Sequence, residues 1–325
     1  MKNWQIHDYE SLISDVLETT DTDIDNELKT IDKCYEKINL LKADKSTYRT
    51  IYQLKDSWFA NMQKRLLQKV FSNIYFPSNV FGFRKGYSYF DYLNYHKTVG
   101  DNTCFLRIDI KDFFDSIKSE HFKESIEYYI AEDCSDEERE KIVETILKIT
   151  TYKNKFVQGS ITAPIISNLV FRPLDIRIEK YCFEMGIKYS RYADDLLFSS
   201  SSSYLHSDRF IRTIINILKD RNFSINHKKT LRQKGKLVIN GYVIDDNIHL
   251  SRNKIKKING ILFRIEKKKS KVLLTKWGAP DYRKLNFLAG YRSYLIHVMK
   301  YSSDPKKKSI ATTISRIEDV IDRYF

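Results

Sequence analysis

A chain of 325 residues that is 42% hydrophobic and 14% aromatic, with only 10 Gly and 5 Pro, has the material for a sizeable core and is neither disordered nor fibrous. Its four cysteines, Cys34, Cys104, Cys134 and Cys182, lie too far apart for a zinc site or a disulfide framework, and they are expected to be reduced packing residues. The formal net charge of +14 favours a polyanionic partner over a cationic one.

The first residues carry no basic-then-apolar signal, and no window reaches the roughly 18 apolar residues of a membrane span, so a cytoplasmic protein without a membrane partner is expected. Residues 1 to 45 read as acidic amphipathic helices, with Leu12, Ile13, Val16 and Leu17 at helical spacing. Up to Asp32 there are nine Asp and Glu against two Lys. Tyr48-Arg49-Thr50-Ile51-Tyr52 predicts a short strand, and Trp58, Met62, Leu66, Leu67 and Val70 predict a helix over Ser57 to Ser72. Thr103 to Ile110 predicts an apolar strand that runs into Lys111-Asp112-Phe113-Phe114-Asp115. Ser135-Asp136-Glu137-Glu138 has the form of a capping box, opening a helix with Ile142, Val143, Ile146 and Leu147 on one face. Another helix is expected from near Thr162 towards Met185, kinked or ended locally by Pro173. Lys188 to Ser200, apolar on both sides of Ala193-Asp194-Asp195, predicts a hairpin. Phe210 to Lys219 follows as a helix, and Leu237 to Leu250 as two strands joined at Asp245-Asp246-Asn247. The remainder returns to basic helices, with Ile255, Ile258, Leu262 and Ile265 at three-to-four spacing. From Asn226 to Phe325 there are 24 Lys and Arg against eight acidic residues. Such a surface releases counterions on meeting nucleic acid, although a Lys-rich solvated face has the same composition. The layout is mixed α and β.

Arg107-Ile108-Asp109-Ile110 places a carboxylate at the end of an apolar strand, and Tyr192-Ala193-Asp194-Asp195 places two more at a hairpin tip. Adjacent carboxylates repel, a divalent cation relieves the repulsion, and hard oxygen ligands are what Mg²⁺ selects. Two such ions about 3.5–4 Å apart activate an attacking 3′-hydroxyl and stabilise a leaving pyrophosphate. An Asp-Asp pair on its own is more often a surface turn, so the surroundings decide.

Six motifs in chain order resemble the reverse transcriptases of bacteria, above all retron and group II intron enzymes. Gly82-Phe83-Arg84-Lys85-Gly86 resembles a fingers motif, and Ile108-Asp109-Ile110-Lys111-Asp112-Phe113-Phe114 the strand with the first metal ligand. Gln158-Gly159 with Ala163-Pro164 and Asn168 resembles Gln-Gly-x-x-x-Ser-Pro, and Tyr192-Ala193-Asp194-Asp195 the tetrapeptide of the palm hairpin. Asn226-His227-Lys228-Lys229-Thr230 resembles Asn-x-x-Lys-Thr, and Asn240-Gly241-Tyr242-Val243 the primer-grip hairpin. The resemblance spans roughly Tyr48 to Leu295. Ala163 and Val157 depart from the usual Ser and Pro of the third motif. Two retron hallmarks also differ: Tyr92-Leu93-Asn94-Tyr95-His96 keeps only the His of Asn-Ala-x-x-His, and Ile239-Asn240-Gly241 replaces Val-Thr-Gly. Defence-associated bacterial reverse transcriptases are therefore a second branch to which the chain is similar.

The resemblance implies an α+β right-hand polymerase with fingers, a ferredoxin-like palm and a small helical thumb. Its divisions would be an acidic helical extension over 1–32, fingers over 33–100, palm over 101–249 with an inserted fingers helix region near 135–160, and a basic thumb over 250–325. It implies an RNA-directed DNA polymerase with two Mg²⁺ ions held by Asp109, Asp194, Asp195 and the Ile110 carbonyl. Lys229 would stand near the leaving pyrophosphate, and Phe114 would block a ribose 2′-hydroxyl. Gln158 and Gly159 would line the dNTP pocket, with glycine letting backbone approach the ligand. Arg49, Arg84 and Lys85 are triphosphate candidates, and Asn240, Gly241 and Tyr242 form the primer grip. Implied partners are a dedicated non-coding RNA template, its DNA product, dNTPs and an effector protein or second subunit, in an antiphage setting. The alternatives are a group II intron-type enzyme and a palm fold that only scaffolds RNA; a two-metal nuclease would have no reason to keep Phe114 or Gln158-Gly159.

Overall fold

In the computed structural model, residues 5–41, 46–97, 102–267, 282–301 and 307–323 are described. The acidic N-terminal segment is helical as its periodicity predicts: α1 (Tyr9–Ser11) continues as a π-helical turn over Leu12–Val16, and α2 (Asp21–Glu27) follows. Leu12, Leu17 and Ile24 are fully buried, and Glu18 pairs with Arg65 at 2.7 Å and Lys69 at 2.6 Å. The helical expectation fails beyond Lys33. Tyr35–Leu41 is a strand, β1, paired antiparallel with β2 (Tyr48–Leu54) from Tyr35↔Leu54 to Leu41↔Tyr48. Seven consecutive cross-strand partners satisfy the backbone of Tyr35–Leu41, a long-range pairing that local apolar spacing does not register.

Asp56 caps α3 (Ser57–Arg65) by accepting from the Phe59 N–H at 3.0 Å, and the helix runs on in π form over Leu66–Val70. After α4 (Tyr89–Asn94) comes β3 (Cys104–Asp109), buried at every position but Arg107. α5 (Ser119–Ile126) and α6 (Asp136–Thr150) follow. Ser135 caps α6 through the Glu138 N–H, but its own hydroxyl donates to the Glu138 carboxylate, so only half of the expected capping box forms. α7 (Ala163–Glu184) runs 22 residues and passes through Pro173 without ending. Twelve of its side chains are buried, and that packing outweighs the ~3 kcal/mol that an internal proline costs.

β4 (Lys188–Tyr192) and β5 (Asp195–Ser200) form the expected hairpin, and α8 (Asp208–Lys219) buries Phe210, Ile211, Ile214, Ile217 and Leu218 on one face. β6 (Leu231–Lys234) completes a four-stranded sheet in the order β4-β5-β3-β6. The segment 237–250 holds three strands rather than two: β7 (Leu237–Ile239), β8 (Tyr242–Ile244) and β9 (Ile248–Leu250), an antiparallel meander. The extra turn is Asn240-Gly241, at φ 48° and 87°, the dipeptide that a two-residue hairpin with both φ positive prefers. α9 (Arg252–Lys267), α10 (Tyr282–Tyr301) and α11 (Lys307–Asp322) are the helices expected at the end; α9 and α10 are basic, whereas α11 carries three basic and three acidic side chains. Lys268, Lys269 and Trp277 lie outside the described residues.

The chain divides into two compact units: Met1–Tyr87, Leu106–Phe198 and Ser203–Leu231 in one, Ser88–Phe105, Ser199–Ser202 and Arg232–Phe325 in the other. No disulfide links the cysteines; Cys104, Cys134 and Cys182 are buried, as packing residues should be. Among the described residues no helix is long and apolar enough to cross a membrane.

Candidate active site

The three aspartates are positioned by backbone. β3 ends on Asp109, and a two-residue turn, Ala193-Asp194, separates β4 from Asp195 at the start of β5. The Ile110 N–H donates to the Asp194 carbonyl at 2.9 Å, tying the turn to the end of β3. On the other side the Asn226 N–H donates to the Asp109 carbonyl at 2.7 Å and the Lys111 N–H to the Ser224 carbonyl at 2.8 Å. Asn226 thus enters the site through its backbone, and Lys229, one short 3₁₀ turn on, bridges both Asp109 oxygens at 3.0 and 3.1 Å.

Ala193 sits at φ 56°, a left-handed conformation that is costly for a residue with a side chain. Its surroundings fix it there. Gly82 packs so closely that a Cβ on it would stand 2.4 Å from the Ala193 nitrogen, which explains the glycine of the fingers motif. The Arg191 guanidinium, fully buried, donates to the Ala193 carbonyl at 3.1 Å, to Asn168 Oδ1 at 3.0 Å and to both Asp175 oxygens at 2.8 and 2.6 Å. Asn168 Nδ2 in turn donates to the Gly82 carbonyl at 2.8 Å, and Tyr189 Oη donates to Asp175 at 2.7 Å. Burial pushes the Tyr189 hydroxyl well above its ordinary pKa, so it remains the donor. Asp175 and Arg191 carry no motif of their own, and sequence reasoning missed both.

It also missed Arg107, whose guanidinium holds Asp195 through Nε–Oδ1 at 2.8 Å and Nη2–Oδ2 at 2.7 Å. The signal was present: residues 107 and 109 are two apart on one strand and share a face, so an Arg in an otherwise apolar strand marks the carboxylate side. Asp194 makes no ion pair with any of the described residues. Burial raises the pKa of both hairpin aspartates, Asp195 to about 6, with the other carboxylates adding to the rise and Arg107 opposing it. As they stand, no three acidic, His or Cys side chains among the described residues converge tightly enough to hold an ion. The donor set nevertheless fits Mg²⁺: three clustered carboxylates, two of them with a pKa raised by burial and by their neighbours' charge, are what a divalent cation relieves. Lys229, with 59% of its side chain exposed, is able to swing away from Asp109.

The pH dependence has a definite sign. Because both pKa values lie above those of the unfolded chain, the stability these groups contribute is fully present below about pH 4 and is lost as the pH rises through the folded values. A cation bound by the ionised form restores it. Mg²⁺ is therefore expected to raise the melting temperature by several degrees at roughly pH 7.5 and hardly at all near pH 5. Equal shifts at both would separate the metal from these carboxylates.

Of the other expected residues, Phe114 is half-buried beside Phe83, ring centroids 6.1 Å apart, while Phe113 stacks on Phe223 in the core. Gln158 accepts from the Tyr52 N–H at 2.7 Å, and Gly159, at φ 103°, lies so close to β2 that a Cβ would meet the Tyr52 carbonyl at 2.5 Å. That close approach to Tyr52 by itself requires a glycine there. Arg49 and Lys85 are exposed. Arg84 Nη1 donates to the Pro77 and Val80 carbonyls, both at 2.8 Å, and the group stacks on Tyr87, which gives it a turn-closing role. In the second unit Asn240 Nδ2 donates to Tyr89 Oη at 2.8 Å, and Tyr242 is buried against Tyr294. Tyr291 is buried too, and Lys254 lies 5.1 and 5.0 Å from the ring centroids of Tyr291 and Tyr294. Tyr282 is exposed.

A strand-end aspartate beside a two-aspartate hairpin turn, on a sheet against which a long helix packs, is the palm of a right-hand nucleic-acid polymerase. Residues 40–244 match the family described as reverse transcriptase (RNA-dependent DNA polymerase), and the chain belongs to that family. It is 28% identical over 233 residues to the retron Ec86 reverse transcriptase of Escherichia coli, covering 69% of this chain and 67% of the relative. To the retron Ec73 reverse transcriptase of the same species it is 29% identical over 226 residues, 66% and 70% of the two chains. Among solved structures, telomerase from Candida albicans in complex with a fragment of telomeric RNA aligns over 90% of this chain and 64% of that one. The TM-score is 0.51 at 12% identity, a likeness of fold alone. The protein is thus an RNA-directed DNA polymerase similar to those of bacterial retrons.

Proposed function

We propose that this reverse transcriptase copies a dedicated non-coding RNA into DNA by two-metal phosphoryl transfer, in the cytoplasm of a bacterium and as part of an antiphage system of the retron or defence-associated kind. The observation that carries the chemistry is the carboxylate set Asp109, Asp194 and Asp195 on tied strand ends, with Lys229 and Arg107 as its counter-charges. Two Mg²⁺ ions, when bound, supply an activated 3′-hydroxyl and charge neutralisation at the leaving pyrophosphate. Asp109, Asp194, Asp195 and the Ile110 carbonyl would hold them. Arg107 orients Asp195, and Lys229, once released from Asp109, faces the leaving group as a cation and proton donor. Gln158, Gly159, Arg49, Arg84 and Lys85 lie on the dNTP side, and Asn240, Gly241 and Tyr242 on the primer side. Fingers, palm and thumb divided near 33, 101 and 250 belong to the same reading, as does an effector protein or second subunit.

Phe114 is the sugar gate in this account. Phe114→Ala is expected to raise rNTP incorporation relative to dNTP by about tenfold or more, because a missing steric or polar clash is what relaxes such a site. Unchanged discrimination in single-nucleotide extension assays would return Phe114 to packing alone.

The template is tested by purifying the protein from its native locus and sequencing the bound RNA. A single structured transcript encoded beside the gene is expected, bound with an affinity that falls steeply with salt. Charge removal at Lys267, Lys268 and Lys269 should flatten that slope. Recovery of bulk cellular RNA alone, at the affinity of unrelated transcripts, would remove the defence-system reading and leave the polymerase.

A further inference from the structure

Behind α7, and sharing no residue with the carboxylate site, lies a cavity of about 570 Å³, within the roughly 300–1,000 Å³ range of small-molecule sites. Three arginines line it, and they are not equivalent. Arg221 is paired with Glu124 at 2.7 Å, and Arg139 is anchored by donating to the Ala131 carbonyl at 2.9 Å. Among the described residues Arg172 makes neither an ion pair nor a hydrogen bond, and its Nε is buried without a partner. A buried guanidinium N–H left open is uncommon, and a planar fork of donors fits a phosphate. The next residue is Pro173, which has no N–H to offer the Leu169 carbonyl one helical turn back, and Leu169 also lines the cavity.

The remaining lining selects among anions. Glu127 and Glu132 make no ion pair among the described residues and would repel a bare phosphate, but they can accept from the amino, imino and hydroxyl groups of a nucleoside. Tyr128, 79% exposed at the rim, offers a ring face to a base. From this combination we infer that the cavity is a second nucleotide site, taking the phosphate of one unpaired nucleotide on Arg172 and Arg139, its base on Tyr128 and its donor groups on Glu127 and Glu132. The phosphate is either that of a free mononucleotide or that of a nucleotide extruded from bound RNA.

The test uses the full chain in EDTA, where no metal–triphosphate complex forms at the carboxylates. Guanosine monophosphate, guanosine and an end-labelled single-stranded RNA 12-mer are titrated against wild type, Arg172→Gln and Tyr128→Ala. Arg172→Gln is expected to weaken the phosphate-bearing probes about tenfold or more, and Tyr128→Ala several-fold, with guanosine insensitive to Arg172. Primer extension on a preformed duplex should stay at the wild-type rate in both variants. An Arg172-dependent monophosphate titration assigns the site to free nucleotide; dependence confined to the 12-mer assigns it to RNA. If Arg172→Gln melts early, Arg172→Lys replaces it, keeping the charge but losing the fork. Affinities for both phosphate probes that ignore Arg172 overturn the inference without touching the polymerase.

Discussion

Asp194→Asn is expected to lower dNTP incorporation by about 10³-fold or more while raising the melting temperature of the metal-free protein. The two effects have one cause. Asp194 makes no ion pair among the described residues, and burial together with the charge of Asp109 holds its pKa above the ordinary range, so its ionised form is disfavoured without a cation. An amide of the same shape removes that penalty and also removes the ligand, the trade between stability and activity that strained sites show. Asp195→Asn should differ. It abolishes activity too, but it leaves Arg107 without the carboxylate it now holds by two hydrogen bonds, so no gain in stability accompanies it. Primer extension and thermal melts in EDTA on both variants check this. Activity near wild type in Asp194→Asn would remove it from the metal site, and a lower melting temperature would show that its charge stabilises the fold.

What was legible in the sequence was local. Asp109, Asp194 and Asp195 stood out because a six-residue apolar strand and a hairpin both announce themselves by short-range pattern, and the motifs around them fix their order. Lys229 was legible from its motif, although its ion pair with Asp109, 120 residues away, was not. The residues that hold the site in shape were hidden for the same reason. Arg107 meets Asp195 across 88 positions, Asn168 meets Gly82 across 86, and nothing short-range in either partner advertises the other. Gly159 was recognised as a glycine that must be one, while the close approach of Tyr52 to it was not visible. The strand Tyr35–Leu41 was misread as helix because its stabilisation comes from β2. Side chains whose partners lie far along the chain are visible only once the chain is folded.

That distinction bears directly on Arg191, which is expected to govern both stability and rate without touching substrate. Its guanidinium and the Asp175 carboxylate are wholly buried, so Arg191→Met strands a carboxylate and should cost about 3–5 kcal/mol of stability. Loss of activity in that variant alone would say little. The informative protein is the double variant Asp175→Asn with Arg191→Gln, which removes both charges together and keeps an acceptor for Tyr189 Oη. It should regain much of the lost stability, since a buried pair removed as a pair is close to neutral. It should nevertheless remain slow, because Gln is too short to reach both Asn168 and the Ala193 carbonyl, and the left-handed turn that carries Asp194 and Asp195 loses its clamp. The deficit should appear in kcat, with a higher Mg²⁺ concentration needed for half-maximal rate and little change in dNTP KM. A double variant as fast as wild type at ordinary Mg²⁺ would make the network a purely structural one. Recovered stability with a right-shifted Mg²⁺ curve would place Arg191 among the residues that position the catalytic turn.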